Sequence, residues 1–227
     1  MNASRTARER ARAELTREIK EEARRQLRAS GAQGLSLRAV ARELGMVSSA
    51  LYRYFPSRDD LLTALIIDAY DTLGERIEAA AGDGFRARWR ACCTAVRDWA
   101  IENPHEYALV YGSPVPGYRA PATTVAPASR VPVVLLSLVR DAWQAGALTE
   151  PADELSPELA EQAARTSRQL PPEMPGAILV RAAIAWTQLF GMVGFELFGH
   201  LDNTMDPAGP FFAHSVERMA DFLGLPA

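Results

Sequence analysis

The chain has 227 residues, 48% of them hydrophobic and 23% charged, with 15 glycines and 15 prolines. That is enough to bury one large core or two smaller ones, and it excludes a disordered, collagen-like or disulfide-stapled chain. The net charge of -3 is unevenly placed: residues 1–60 hold 13 Arg/Lys and 8 Asp/Glu, a +5 segment, while the rest hold 12 and 20, a -8 segment. A basic N-terminal segment on an acidic body is the charge distribution of a nucleic-acid-binding head.

Cys92 and Cys93 are adjacent inside an expected helix, where neighbouring side chains diverge by about 100°, so they are not expected to bridge. They fit no metal spacing and predict a reducing, cytoplasmic compartment. No basic-then-apolar leader and no apolar run of about 18 residues is present, so no membrane partner is expected.

In chain order the pattern is helical almost throughout. Residues 1–12 are Arg-rich without an apolar stripe and read as a flexible basic arm, more a solvated tail than a minor-groove reader. Leu15, Ile19, Ala23 and Leu27 then mark one helical stripe, closed at Gly31. Ser36 offers an N-cap to a short helix with Leu37, Val40, Ala41 and Leu44 on one face, and Gly45 stops it. A second short helix is expected over 48–55. Ser57-Arg58-Asp59-Asp60 is a capping-box-like start to a helix running to about residue 81. Phe85, Trp89, Cys92, Cys93, Val96, Trp99 and Ala100 mark the next. Asn103 is expected to cap a further helix, with Pro104 first and Glu106 third.

Residues 112–127 read as a Pro/Gly-rich loop. Helices follow over about 128–145, 156–169, 176–200 and 206–223, with Pro171, Pro172 and Pro175 as breaks. No strand alternation and no repeat is visible. The fold class is therefore all-α. It comprises a three-helix N-terminal helix-turn-helix DNA-binding domain (13–60) behind the arm (1–12), and a larger helical ligand-binding and dimerisation domain (61–227), about nine to ten helices in all.

The most specific signal is the stretch 35–62, LSLRAVARELGMVSSALYRYFPSRDDLL. Two short helices joined at Gly45 form a helix-turn-helix. The second presents the small, polar residues Ser48, Ser49 and Ala50, which allow close approach to base edges, followed by Tyr52, Arg53 and Tyr54, which reach flanking phosphates. Ser36, Arg38 and Arg58 lie at helix starts, where backbone N–H groups favour phosphate. All nine are candidate DNA contacts, and double-stranded operator DNA is the expected partner.

At these residues the sequence resembles the tetracycline-repressor (TetR) family of bacterial regulators. The Ala-x-x-Leu-Gly turn, Leu51-Tyr52-x-Tyr54-Phe55 and Ser57-Arg58-Asp59-Asp60-Leu61-Leu62 carry the likeness. It departs at Val47, where the family usually places a Ser at the start of the recognition helix. The C-terminal part is similar to a subgroup with a Trp-rich ligand domain, through Trp89, Trp99, Asn103-Pro104-x-Glu106-Tyr107, the 112–118 loop, Trp186 through Gly191, and Phe195-Glu196. The resemblance implies an all-helical fold, DNA binding, a small-molecule effector and a homodimer.

It also implies a cavity among the C-terminal helices. The aromatic stripes there offer Trp89, Cys93, Val96, Trp99, Tyr107, Tyr111, Trp143, Trp186 and Phe190 as its lining, walls suited to an apolar or aromatic ligand. Gly191 and Gly194 beside Phe195 and Phe198 suggest close helix approach, and Phe212, Val216 and Met219 add apolar faces. Together they predict a symmetric four-helix dimer interface. No catalytic residue, metal or cofactor is expected: there is no phosphate loop, no paired His ligands and no nucleophile elbow. The expected role is a repressor released from a palindromic operator by its ligand.

Overall fold

A computed structural model describes residues 2–149, 151, 154–168 and 174–226. Among them the chain is all-helical: α1 (Asn2–Ser30), α2 (Leu37–Glu43), α3 (Ser48–Leu51), α4 (Arg58–Glu78), α5 (Phe85–Glu102), α6 (Pro104–Tyr111), α7 (Val125–Gln144), α8 (Pro157–Ser167), α9 (Gly176–Leu197) and α10 (Ala208–Leu223). Single 3₁₀ turns stand at Ala32–Gly34 and Ala122–Thr124. The expected breaks at Pro171 and Pro172, and the expected end of the eighth helix at residue 169, lie outside the described residues.

Three differences have local causes. The segment expected to be a flexible arm is helical from Asn2, because its Arg, Ala and Glu residues are strong helix formers that need no apolar stripe. α7 begins at Val125 rather than 128; Pro127 sits in its first turn, where a missing N–H costs nothing. α9 stops at Leu197, since Gly199 turns left-handed (φ +76°) and the His200 N–H donates to the Phe195 carbonyl at 2.9 Å.

The chain packs as two compact units, Met1–Tyr70 with Asn103–Ala128 and Asp71–Glu102 with Ser129–Ala227. The expected boundary after residue 60 thus falls in the first turn of α4, which contributes residues to both units. In the first unit the α1 stripe of Ile19, Ala23 and Leu27 packs with Leu37, Val40 and Ala41 of α2, Leu51 and Phe55, and Leu61, Leu62, Leu65 and Ile66 of α4, all buried. Each of the Leu, Ile, Val and Phe side chains among them contributes roughly 1.5–3 kcal/mol by leaving water.

Helix α6 and the loop after it belong to this same unit. Leu109, Val110, Val115 and Tyr118 pack against its core, and the Tyr118 and Thr63 hydroxyls share a hydrogen bond at 2.8 Å. The Arg24 guanidinium donates at 2.6 Å to both Glu106 of α6 and Asp68 of α4. Glu106 is therefore spent on α1 rather than on a capping box, and Asn103, at the N-cap position, makes no side-chain cap bond.

In the second unit α5 buries Trp89, Cys92, Cys93, Val96, Trp99 and Ala100. The Trp89 indole N–H donates to the Val216 carbonyl of α10 at 3.2 Å, and that of Trp99 to the Thr72 hydroxyl of α4 at 3.1 Å. Arg97 grips Glu196 of α9 bidentately at 2.6 and 2.7 Å. Arg130 of α7 holds Asp71 and Glu78 at 2.7–2.9 Å. Its stem lies where a Cβ on Gly74 would come within 2.6 Å, so that glycine lets the guanidinium cross α4.

Candidate nucleic-acid interface

Local rules position the two short helices. Ser36 sits at the N-cap of α2, its hydroxyl accepting from the Ala39 N–H at 3.4 Å, while its own N–H donates to the Gln26 side chain at 3.2 Å. Gly45 takes the left-handed conformation (φ +65°) that ends the helix, and the Met46 N–H closes back on the Ala41 carbonyl at 2.8 Å. Val47 then occupies the N-cap of α3 and makes no side-chain cap bond. The recognition helix thus starts at Ser48, with a valine at the cap.

Helix α3 is shorter than the expected 48–55. After Leu51 the chain tightens into turns in which the Arg53 and Tyr54 N–H groups donate three residues back, to Ala50 and Leu51, at 3.2 and 2.8 Å. Leu51 and Phe55 are buried and fix the element on the core, which leaves Ser49, Tyr52 and Arg53 exposed and Ser48, Ala50 and Tyr54 half-buried. Small side chains followed by an exposed Tyr-Arg pair suit entry into a groove flanked by phosphates. Arg12 supports this end: its guanidinium lies 5.1 Å from the centre of the Tyr54 ring and donates to the Arg53 carbonyl at 3.4 Å.

Two candidate contacts are occupied within the protein. Arg58 turns inward and donates to the Leu35 and Ala32 carbonyls at 3.2 and 2.7 Å, so its guanidinium braces the loop before α2. The Ser36 hydroxyl is engaged as a cap. Arg38, in contrast, is exposed on the first turn of α2. Val47, singled out in the sequence only as a departure from the family pattern, is 70% exposed.

The predicted ligand lining is divided between the units. Tyr107 and Tyr111 lie in the first, as neighbours with ring centres 5.3 Å apart, and burial raises both phenols above their ordinary range. The other seven lie in the second. There Trp89, Cys93, Val96 and Trp99 are fully packed, whereas Trp143, Trp186 and Phe190 are partly exposed, the last two stacked edge to face at 6.3 Å. Burial pushes the Cys92 thiol up to about 11 and holds Cys93 well above its ordinary value, so neither offers a thiolate at neutral pH. A groove of about 530 Å³ in this unit is lined by Arg76, Ala79, Ala80, Ala87, Arg90, Ala91, Thr94, Ala95 and Asp98. None of the nine expected residues lines it.

The expected dimer residues divide as well. On α9, Gly191 is exposed and a Cβ there would meet open space; Phe195 and Phe198 are 56% and 49% exposed. With Ile184, 46% exposed, they recur at i, i+7, i+11 and i+14, one outward apolar stripe. Gly194 is buried. Phe212, Val216 and Met219 are 5%, 1% and 1% exposed. These three are buried within the protomer's own core.

Comparison with known proteins agrees over both halves. Residues 19–65 match the family model described as bacterial regulatory proteins, tetR family, and residues 89–220 match a tetracyclin repressor-like C-terminal domain. An HTH-type transcriptional regulator of Mycobacterium tuberculosis is 40% identical over 217 residues, spanning 90% of this chain and 91% of that protein. The crystal structure of a candidate regulatory protein, SCO4313, superposes with a TM-score of 0.78 at 32% identity, covering 94% of this chain and 98% of that one. At 15% identity and a TM-score of 0.51, covering 89% and 92% of the two chains, the fold also matches a tetracycline repressor variant of Acinetobacter baumannii crystallised with minocycline.

Proposed function

Because the chain belongs to the TetR family and is a transcriptional regulator with a DNA-binding helix-turn-helix, we propose that it is a homodimeric repressor. In this reading it leaves a palindromic operator when an apolar or aromatic small molecule binds its C-terminal helices. The observation that carries the DNA part is the outward face of the recognition element: small at Ser48, Ser49 and Ala50, then exposed Tyr52 and Arg53, with no acid between Glu43 and Asp59. Arg38 on the first turn of α2 extends that face.

The dimer part rests on the α9 stripe of Ile184, Gly191, Phe195 and Phe198. A line of exposed aromatics at helical spacing is costly in water and is satisfied by a second copy meeting it about a twofold axis. Two heads then span two half-sites, and tethering them multiplies the affinity of either one.

The effector part rests on chemistry and analogy. Trp143, Trp186 and Phe190 offer partly exposed apolar walls, and a protein of the same fold binds minocycline. Walls of this kind favour an uncharged or aromatic ligand, because burying a charge without a partner is expensive. Release requires that the ligand bind one head spacing better than the other; equal affinity for both shifts nothing.

The test is a screen for compounds that raise the melting temperature of the free protein and quench its tryptophan fluorescence, followed by titration into the protein–operator complex. An effector should release DNA at the concentrations that stabilise the protein. A set of stabilising ligands that all leave operator affinity unchanged would overturn the repressor-release reading.

A further inference from the structure

The start of the recognition element carries a finer assignment, which rests on the DNA-binding reading above. Three serines serve the chain as helix N-caps: the side chains of Ser36, Ser57 and Ser156 accept from the N–H groups of Ala39, Asp60 and Leu159 at 3.4, 3.1 and 3.3 Å. At α3 the same position is held by Val47, which cannot accept a hydrogen bond, and the start of the helix goes without a side-chain cap. A valine in place of a capping serine is a choice that weakens the helix.

Nor is the valine placed there to pack. At 70% it has the greatest exposure of the large hydrophobic side chains among the described residues. It follows the Gly45 turn directly and stands beside Ser48 and Ser49, whose small side chains do not screen it from an approaching surface. The free protein therefore forgoes a side-chain cap and also leaves most of an apolar side chain in water.

A bound state supplies the compensation. In a helix-turn-helix the residues at the N-terminal end of the second helix face the base edges of the major groove. Those edges present hydrogen-bond donors and acceptors, and one apolar group, the C5-methyl of thymine. We infer that Val47 reads a thymine methyl in each operator half-site, a specificity-determining contact made by an apolar side chain rather than by the serines that follow it.

Removing the thymine methyl without touching base pairing tests this. An operator is first selected with the full-length protein from its own upstream region. Each thymine is then replaced singly by deoxyuridine, and affinities are measured for the parent, Val47→Ser and Val47→Ala. One thymine in a half-site should stand out: its replacement should weaken the parent about fourfold, the worth of one buried methyl. The same replacement should leave Val47→Ser unaffected and should penalise Val47→Ala less than the parent. Val47→Ser should also melt no lower than the parent, because it restores a cap.

Uracil penalties of equal size in parent and variants, or none at any thymine, would overturn the inference while leaving operator binding intact. Failure of the parent to prefer any duplex over random DNA would instead overturn the regulator reading, and the inference with it.

Discussion

Replacing Arg58 by Ala separates a brace from a DNA contact, because the structure and the motif assign this residue opposite roles. The guanidinium donates to two carbonyls, Leu35 at 3.2 Å and Ala32 at 2.7 Å, and its side chain is 32% exposed. A hydrogen bond from a charged donor contributes about 1.5–3 kcal/mol when well buried. Here water reaches the guanidinium and can replace part of each bond, so the pair together is worth about 2 kcal/mol. For a chain of this size that corresponds to a fall of roughly 4–8 °C in melting temperature. Arg58→Lys keeps a donor without the planar fork and should recover about half of it. Urea denaturation reports the loss directly, and operator affinity measured well below the transition should change less than twofold. An unchanged denaturation midpoint together with a tenfold loss of DNA affinity would refute the inward role and return Arg58 to the phosphates.

The two aromatic surfaces of the body should respond in opposite ways. Phe195→Glu should leave the protomer folded but monomeric by sedimentation, with operator affinity collapsing, whereas Phe212→Ala should cost about 3–5 kcal/mol of stability as a buried truncation. The double change Tyr52→Ala/Arg53→Ala should preserve helicity and dimerisation, weaken operator binding at least tenfold, and lower the salt slope by about one for each phosphate contact removed. Hydrogen bonds from Arg90 and Arg86 hold the Glu217 carboxyl below its ordinary value of 4.5. A folded-state value below the unfolded one stabilises the fold above about pH 4.5, and the benefit is lost as pH falls further. Melting curves from pH 7 to pH 3 should therefore steepen in that window, and Glu217→Gln should flatten them.

Much of the head was legible because short-range rules decide it. The Ser36 and Ser57 caps, the left-handed turn at Gly45 and the Ile19-Ala23-Leu27 stripe each follow from a few neighbouring residues. What short-range rules do not decide is which way a side chain turns in three dimensions. Arg58 begins a helix, as a phosphate ligand would, but in the free protein it donates to the Leu35 and Ala32 carbonyls. The period of Phe212, Val216 and Met219 reveals an apolar face without saying what it meets; in the folded protomer all three side chains are buried. The 112–124 loop looks featureless in sequence, yet Val115 and Tyr118 seat it on the head's core. Residues 2–12 lack an apolar stripe and are helical all the same, since propensity alone suffices there.

The central claim is that this helix-turn-helix binds a two-fold operator in specific sequence. Hydroxyl-radical footprinting of the full-length protein on its own upstream DNA tests it most directly. The account predicts two protected patches related by a palindrome, with centres one helical turn, about 34–36 Å, or a multiple of it apart. Both patches should disappear in Tyr52→Ala/Arg53→Ala. Uniform protection with no preferred site, unchanged in that variant, would contradict the claim.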